Sequence, residues 1–88
     1  MIEQIVKVIN RAGVHARPSA LLVQTTKNFS SNIYMEKGSD RINAKSIMGI
    51  ITLGASYGSE IKIIAEGEDE EAAIETLVKL FESKFEEE

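Results

Sequence analysis

The segment "AGVHARPSALL", residues 12–22, holds the one histidine of the chain, His15, with Gly13 two places before it and Arg17 and Pro18 just after. A neutral imidazole is a nucleophile. The Arg17 guanidinium is a fixed, planar cation whose geometry matches phosphate. A helix starting near Ala16 makes His15 its N-cap and leaves the amides of the first turn open beside it. Those amides and the positive end of the helix dipole attract an anion. Pro18 lacks an amide hydrogen but is tolerated in a first turn, where the helix needs none. Gly13 is expected to leave the approach to the ring open. Together these residues describe a histidine able to accept a phosphoryl group and hold the product. The plain alternative is a histidine that only caps a helix, beside an arginine exposed by chance. A Ser-His-Asp triad fits poorly, because no sequence context suggests a nucleophile elbow. General acid–base work on a small substrate is also disfavoured, since 88 residues offer little pocket volume.

A second segment, "NAKSIMGIITLG" at 43–54, reads as a short apolar helix with Ser46 as N-cap and Gly54 as its stop. At about 100° per residue, Ile47, Met48, Ile50, Ile51 and Leu53 spread over roughly 220°. A surface helix buries a stripe of only about 100°, so part of this set must be exposed. Ile50 and Leu53 are the better core residues. Ile47, Met48 and Ile51 then form an apolar patch beside Ser46, the usual mark of a docking surface. By itself Ser46 is a cap. A phosphate there would add about −1.5 to −2 charges next to the patch.

The elements that position these segments follow from periodicity. "QIVKVI" at 4–9 alternates, with Val6 and Val8 on one face, and reads as a strand. The helix near Ala16 has an inward stripe of Pro18, Leu22, Thr25 or Thr26, and Phe29. "NIYMEK" and "RINAK" are strands joined by the turn "GSD". "EIKIIAE" is a fourth strand with Ile61, Ile63 and Ala65 facing in. Asp69 caps a last helix whose stripe is Ile74, Leu77, Val78, Phe81 and Phe85, with Glu70 and Glu71 in its dipole-favoured first turn. The final "EEE" opposes the dipole and is expected to fray. The order is β-α-β-β-α-β-α. Alternating strands imply one covered and one wet sheet face, so an α+β fold results: a four-stranded antiparallel sheet with all helices on one side.

Composition narrows the partners. One domain, residues 1–88, is expected. There is no cysteine and one histidine, so neither a disulfide framework nor a metal site is expected, and no cofactor is indicated. No apolar run approaches the ~20 residues of a membrane span, and the N-terminal "MIEQIVKVIN" does not read as a secretory signal. A cytoplasmic location fits. Residues 1–65 carry eight basic and four acidic side chains, whereas residues 66–88 carry two basic and ten acidic. The region around His15 is thus mildly basic and suits an acidic protein partner. It is too thinly basic for nucleic acid, and Tyr34 alone does not supply the sheet aromatics of an RNA-binding module.

Two separated motifs in register, "GVHARPSALLVQT" and "NAKSIMGIITLG", together with "GEDEEAAIETL", resemble the HPr phosphocarrier family of the bacterial phosphoenolpyruvate-dependent phosphotransferase system over nearly the whole chain. The resemblance implies an open-faced β-sandwich with sheet order 1-4-2-3, acting as a monomer and as a carrier rather than an enzyme. It implies phosphorylation of His15 on Nδ1 by enzyme I, stabilisation by Arg17, and transfer to the A domains of sugar permeases. It also implies partner contacts at Ala16, Ala20, Ile47, Met48 and Ile51. Ser46 followed by "IMG" resembles the regulatory site of HPr kinase/phosphorylase, which can license binding to a transcriptional regulator. Ile51 stands where many Gram-positive members have methionine, and Ala12 where others have a polar residue. The acidic, aromatic tail "ESKFEEE" is similar to the nitrogen-regulatory branch, so a regulatory phosphocarrier without sugar uptake is the alternative.

Overall fold

Four alternating segments pair into one antiparallel sheet in the computed structural model, which describes residues 1–86. The strands are β1 (Ile2–Lys7), β2 (Asn32–Lys37), β3 (Asp40–Asn43) and β4 (Glu60–Glu66), in the order β1-β4-β2-β3. Helices α1 (Ala16–Thr26), α2 (Ile47–Leu53) and α3 (Glu70–Glu82) join them. The inward side chains Val6, Ile33, Met35, Ile61, Ile63 and Ala65 share one buried cluster with Leu22, Ile50, Leu77 and Phe81 of the helices. The element order, sheet order and fold class are those expected.

Several boundaries shift, each for a physical reason. β1 runs from Ile2 rather than Gln4, because β4 reaches far enough to pair Ile2 with Ala65. Val8, expected inside the strand, lies just past it but stays buried, its amide donating to Ser59 and its carbonyl accepting from Gly58. The hairpin turn shortens to Gly38–Ser39, since Asp40 already pairs with Lys37. The outer sheet face is not uniformly wet. Ile64 is only 2% exposed there, flanked by its pairing neighbours Glu3 and Tyr34. The Arg41 guanidinium lies 5.4 Å from the Tyr34 ring centroid, and long side chains of this kind shield apolar area with their stems.

In α1, Thr26 rather than Thr25 faces the core, and its hydroxyl donates to the Ala44 carbonyl at 2.9 Å. Ser19 and Val23 join the buried face, which the expected stripe omits. Phe29 lies beyond the helix and is half-buried against the core. α2 packs closely on β3 because Gly49 has no side chain: a Cβ there would stand 3.3 Å from the Asn43 carbonyl oxygen and from the Ile42 Cβ. It ends, as expected, at Gly54 in the left-handed conformation.

In α3 the buried residues are Ala73, Ile74, Leu77, Leu80 and Phe81, with Val78 only half-buried. Asp69 precedes the helix but makes no side-chain cap bond to it. Its carboxylate turns to Ser30 and Ser31 instead. Phe85 is not the last turn of a continuous helix. The helix stops at Glu82, and Lys84, Phe85 and Glu86 take positive φ values of 57°, 55° and 63°. That turn folds Phe85 back into the core, edge-on to Phe81 with ring centroids 4.8 Å apart. Of the tail expected to fray, Glu86 belongs to this turn, while Glu87 and Glu88 lie outside the described residues.

Candidate functional site

The loop from β1 to α1 delivers His15 to the surface. Val14 is buried, and its amide donates to the Ala55 carbonyl at 2.8 Å. Asn10, 1% exposed, donates from its side-chain amide to the Gly13 carbonyl at 2.7 Å, while the Gly13 amide donates to the Asn10 carbonyl at 3.0 Å. The expectation that Gly13 keeps the approach to His15 open is corrected. Gly13 is buried at φ 74°, and a Cβ on it would come within 2.9 Å of the Ala55 carbonyl oxygen. Glycine is needed there for a positive φ and for close passage of two backbones.

His15 is exposed, extended in backbone conformation, and stands at the N-cap of α1 as expected. Its ring makes no capping hydrogen bond to the helix, so the role of a plain helix cap does not account for it. Its carbonyl accepts both the amide and the hydroxyl of Ser19, at 2.9 and 2.7 Å. That bond begins the intrahelical ladder, and the amides of Ala16 and Arg17 remain as the open donors of the helix start. Pro18 is buried beneath them. Ala16 and Arg17 are exposed beside His15, and Arg17 has no ion pair among the described residues. A shallow groove runs on from Arg17 past Ala20, Leu21 and Gln24 to Phe85 and Glu86. Ala20 is half-buried in it.

The second segment lies against the first, since α2 packs on α1 and the Val14–Ala55 bond ties the His15 loop to the residue after the α2 stop. Ser46 is exposed, and its hydroxyl caps α2 by accepting from the Gly49 amide at 3.1 Å. Ile50 and Leu53 are buried as expected. Ile47, Met48 and Ile51 are 41%, 64% and 43% exposed and form the expected apolar patch. All eight residues singled out in the sequence therefore lie on α1, α2 or their caps. Asn10 and Ser19, which fix the backbone on either side of His15, were not among them. An asparagine three places before a glycine in "NRAG" is the available signal for the first.

Comparison with known proteins identifies the family. The family model described as the PTS HPr component phosphorylation site matches residues 2–83. The phosphocarrier protein HPr of Treponema pallidum is 50% identical over 88 residues, the whole of both chains. The HPr-like protein Crh of Bacillus subtilis is 47% identical over 77 residues, 88% of this chain and 91% of its own, and a crystal structure of Crh describes a dimer with a swapped domain, at TM-score 0.76 and covering 96% of this chain and 97% of that one. The crystal structure of HPr-C-His from Thermoanaerobacter tengcongensis superposes at TM-score 0.96 with 56% identity, covering 100% of this chain and 99% of that one. No helix among the described residues is long and apolar enough to cross a membrane. With the fold, both motifs and full-length relatives in accord, the chain belongs to the HPr family of phosphocarrier proteins, carriers of a phosphoryl group rather than enzymes.

Proposed function

We propose that His15 accepts a phosphoryl group from phosphorylated enzyme I and passes it to the A domains of sugar permeases. A ring nitrogen of His15 attacks phosphorus; the P–N bond to His15 forms as the bond to enzyme I breaks, and the second transfer reverses the roles. The single observation that carries this reading is an exposed imidazole at a helix N-cap, unused as a cap, with the exposed Arg17 two residues on. The Arg17 guanidinium and the Ala16 and Arg17 amides supply positive charge where the transferred oxygens arrive. Ala16, Ala20, Ile47, Met48 and Ile51 provide the docking surface, and Ser46 is a regulatory phosphorylation site for HPr kinase/phosphorylase. The working form is a monomer, with exchange between copies, as in Crh, the alternative that sedimentation decides.

The test is enzyme I with phosphoenolpyruvate, read by mass spectrometry under alkaline conditions. One acid-labile phosphate on His15 is expected, and none on His15→Ala. A His15→Ala chain that is fully phosphorylated would refute the assignment. The likeness to Crh, at 47% identity, favours a second reading: a regulatory phosphocarrier without sugar uptake. Phosphorylation of His15 with no onward transfer to any permease A domain would select it.

A further inference from the structure

Resting on the phosphocarrier reading, we infer that Asn10 is a positioning residue for His15, acting through the Gly13–Val14 peptide. Both ends of that peptide unit are held. Its carbonyl accepts from the Asn10 side-chain amide at 2.7 Å, and its N–H donates to the Ala55 carbonyl at 2.8 Å. The reciprocal bond from the Gly13 amide to the Asn10 carbonyl closes the loop on itself. A peptide held at both ends cannot rotate about its flanking bonds, so only the buried Val14 separates a fixed plane from His15. On the far side, Ser19 holds the His15 carbonyl twice. The backbone of His15 is thereby held between two anchored planes, Gly13–Val14 one residue before it and His15–Ala16 after it.

Asn10 is the member of this arrangement that the helix does not supply. Asn10 is buried to 1% exposure with its side-chain amide donating to Gly13 and its Oδ1 meeting no donor among the described residues, a polar cost that an apolar residue would avoid. A short loop needs no such residue merely to turn. The position is occupied by a group whose donor reaches the carbonyl of the Gly13–Val14 peptide, one residue short of His15. Phosphoryl transfer depends on in-line approach, and a misplacement of about 1 Å costs about a hundredfold in rate. Asn10 is buried and is not one of the exposed side chains of the docking patch, so its loss should lower the maximal rate and leave docking alone.

The experiment uses the full chain with enzyme I and phosphoenolpyruvate, comparing wild type, Asn10→Ala and Asn10→Asp at pH 8. The Asp carboxylate has the shape of Asn but cannot donate to the Gly13 carbonyl. For each chain the rate of His15 phosphorylation against chain concentration, the melting temperature and the hydrogen exchange of the Val14 amide are read. The expected result is a maximal rate reduced about ten- to a hundredfold, a KM changed less than about twofold, and faster Val14 exchange. A lowered melting temperature with an unchanged maximal rate at a temperature where the variant is folded would make Asn10 an ordinary structural residue and overturn the inference. A loss carried by KM alone would overturn it too. Should Asn10→Ala fail to fold, Asn10→Asp decides by the same readings. Wild type that takes no phosphate on His15 refutes the phosphocarrier reading itself, whereas wild type and both variants labelled at equal rates refute only the role of Asn10.

Discussion

Asp69 and Ser31, 38 residues apart in the chain, are joined by two hydrogen bonds to one carboxylate oxygen, from the Ser31 amide at 3.0 Å and from its hydroxyl. The Ser30 amide reaches the other oxygen at 2.8 Å. This pins the turn after α1 to the start of α3. The Ser31 hydroxyl, then the Ser30 amide, hold the Asp69 carboxyl well below the usual carboxylate range, at about 2. The folded chain therefore binds this proton less readily than the unfolded one, whose Asp titrates near ~3.9. The stabilisation is complete above about pH 4 and is lost as pH falls toward 2. Glu70, lowered by the Gly67 amide and then the chain's amino terminus, adds in the same direction. Denaturant unfolding from pH 7 to pH 2 should show stability falling in this window. Asp69→Asn should be less stable at pH 7 and flatter below pH 4; an unchanged slope would mean the contact contributes nothing.

Arg17→Ala should slow transfer through His15 about ten- to a hundredfold, the worth of one charge-assisted hydrogen bond to the moving oxygens. The fold should barely notice. Arg17 is exposed and unpaired among the described residues, and such substitutions usually change stability by less than about 0.5 kcal/mol. Melts and transfer rates run side by side separate the two effects. A parallel fall in both would mark Arg17 as structural.

Met48→Asp should weaken binding to enzyme I by several kcal/mol if Met48 sits at the interface centre, because a charge buried there lacks a partner. At 64% exposure Met48 makes little contribution to the core, so the melting temperature should hold. Titration calorimetry reads the affinity, and an unaltered value would show the patch to be idle.

Ser46→Asp should keep α2 intact. The Ser46 hydroxyl caps the helix through the Gly49 amide, and aspartate caps about as well as serine. The added charge sits beside Met48 and repels an acidic partner. Enzyme I-dependent phosphorylation should slow and recover partly in high salt, which screens exposed charges. A large drop in melting temperature alongside the slower rate would point to loosening of the helix instead.

The sequence made legible what depends on local pattern. His15 at the N-cap, Ser46 as a working cap, Gly54 as a stop, and the split of α2 between buried Ile50 and Leu53 and exposed Met48 all follow from spacing alone. What escaped it depends on partners distant in the chain. Asp69 looks like a helix cap until Ser31 is brought beside it. Gly13 looks like an open approach until Ala55 presses against it. Phe85 continues the period of α3, yet burial against Phe81 favours three residues at positive φ over another helical turn. Ile64 sits on the face that alternation assigns to solvent, and only the neighbouring strands reveal its cover.

Pro18 has a consequence for energetics as well as for helix initiation. An ordinary helix start presents three free amides in its first turn, whereas here the third position has none to give. On the proposed reading, a phosphoryl group on His15 thus meets one donor fewer. A hydrogen bond to a charged group is worth about 1.5–3 kcal/mol, so the omission moves the equilibrium for leaving by about ten- to a hundredfold toward release. A phosphate sink would be improved by a residue with an amide at position 18. A courier would be spoiled by it, since whatever deepens its hold on the cargo lowers the group-transfer potential it must hand on.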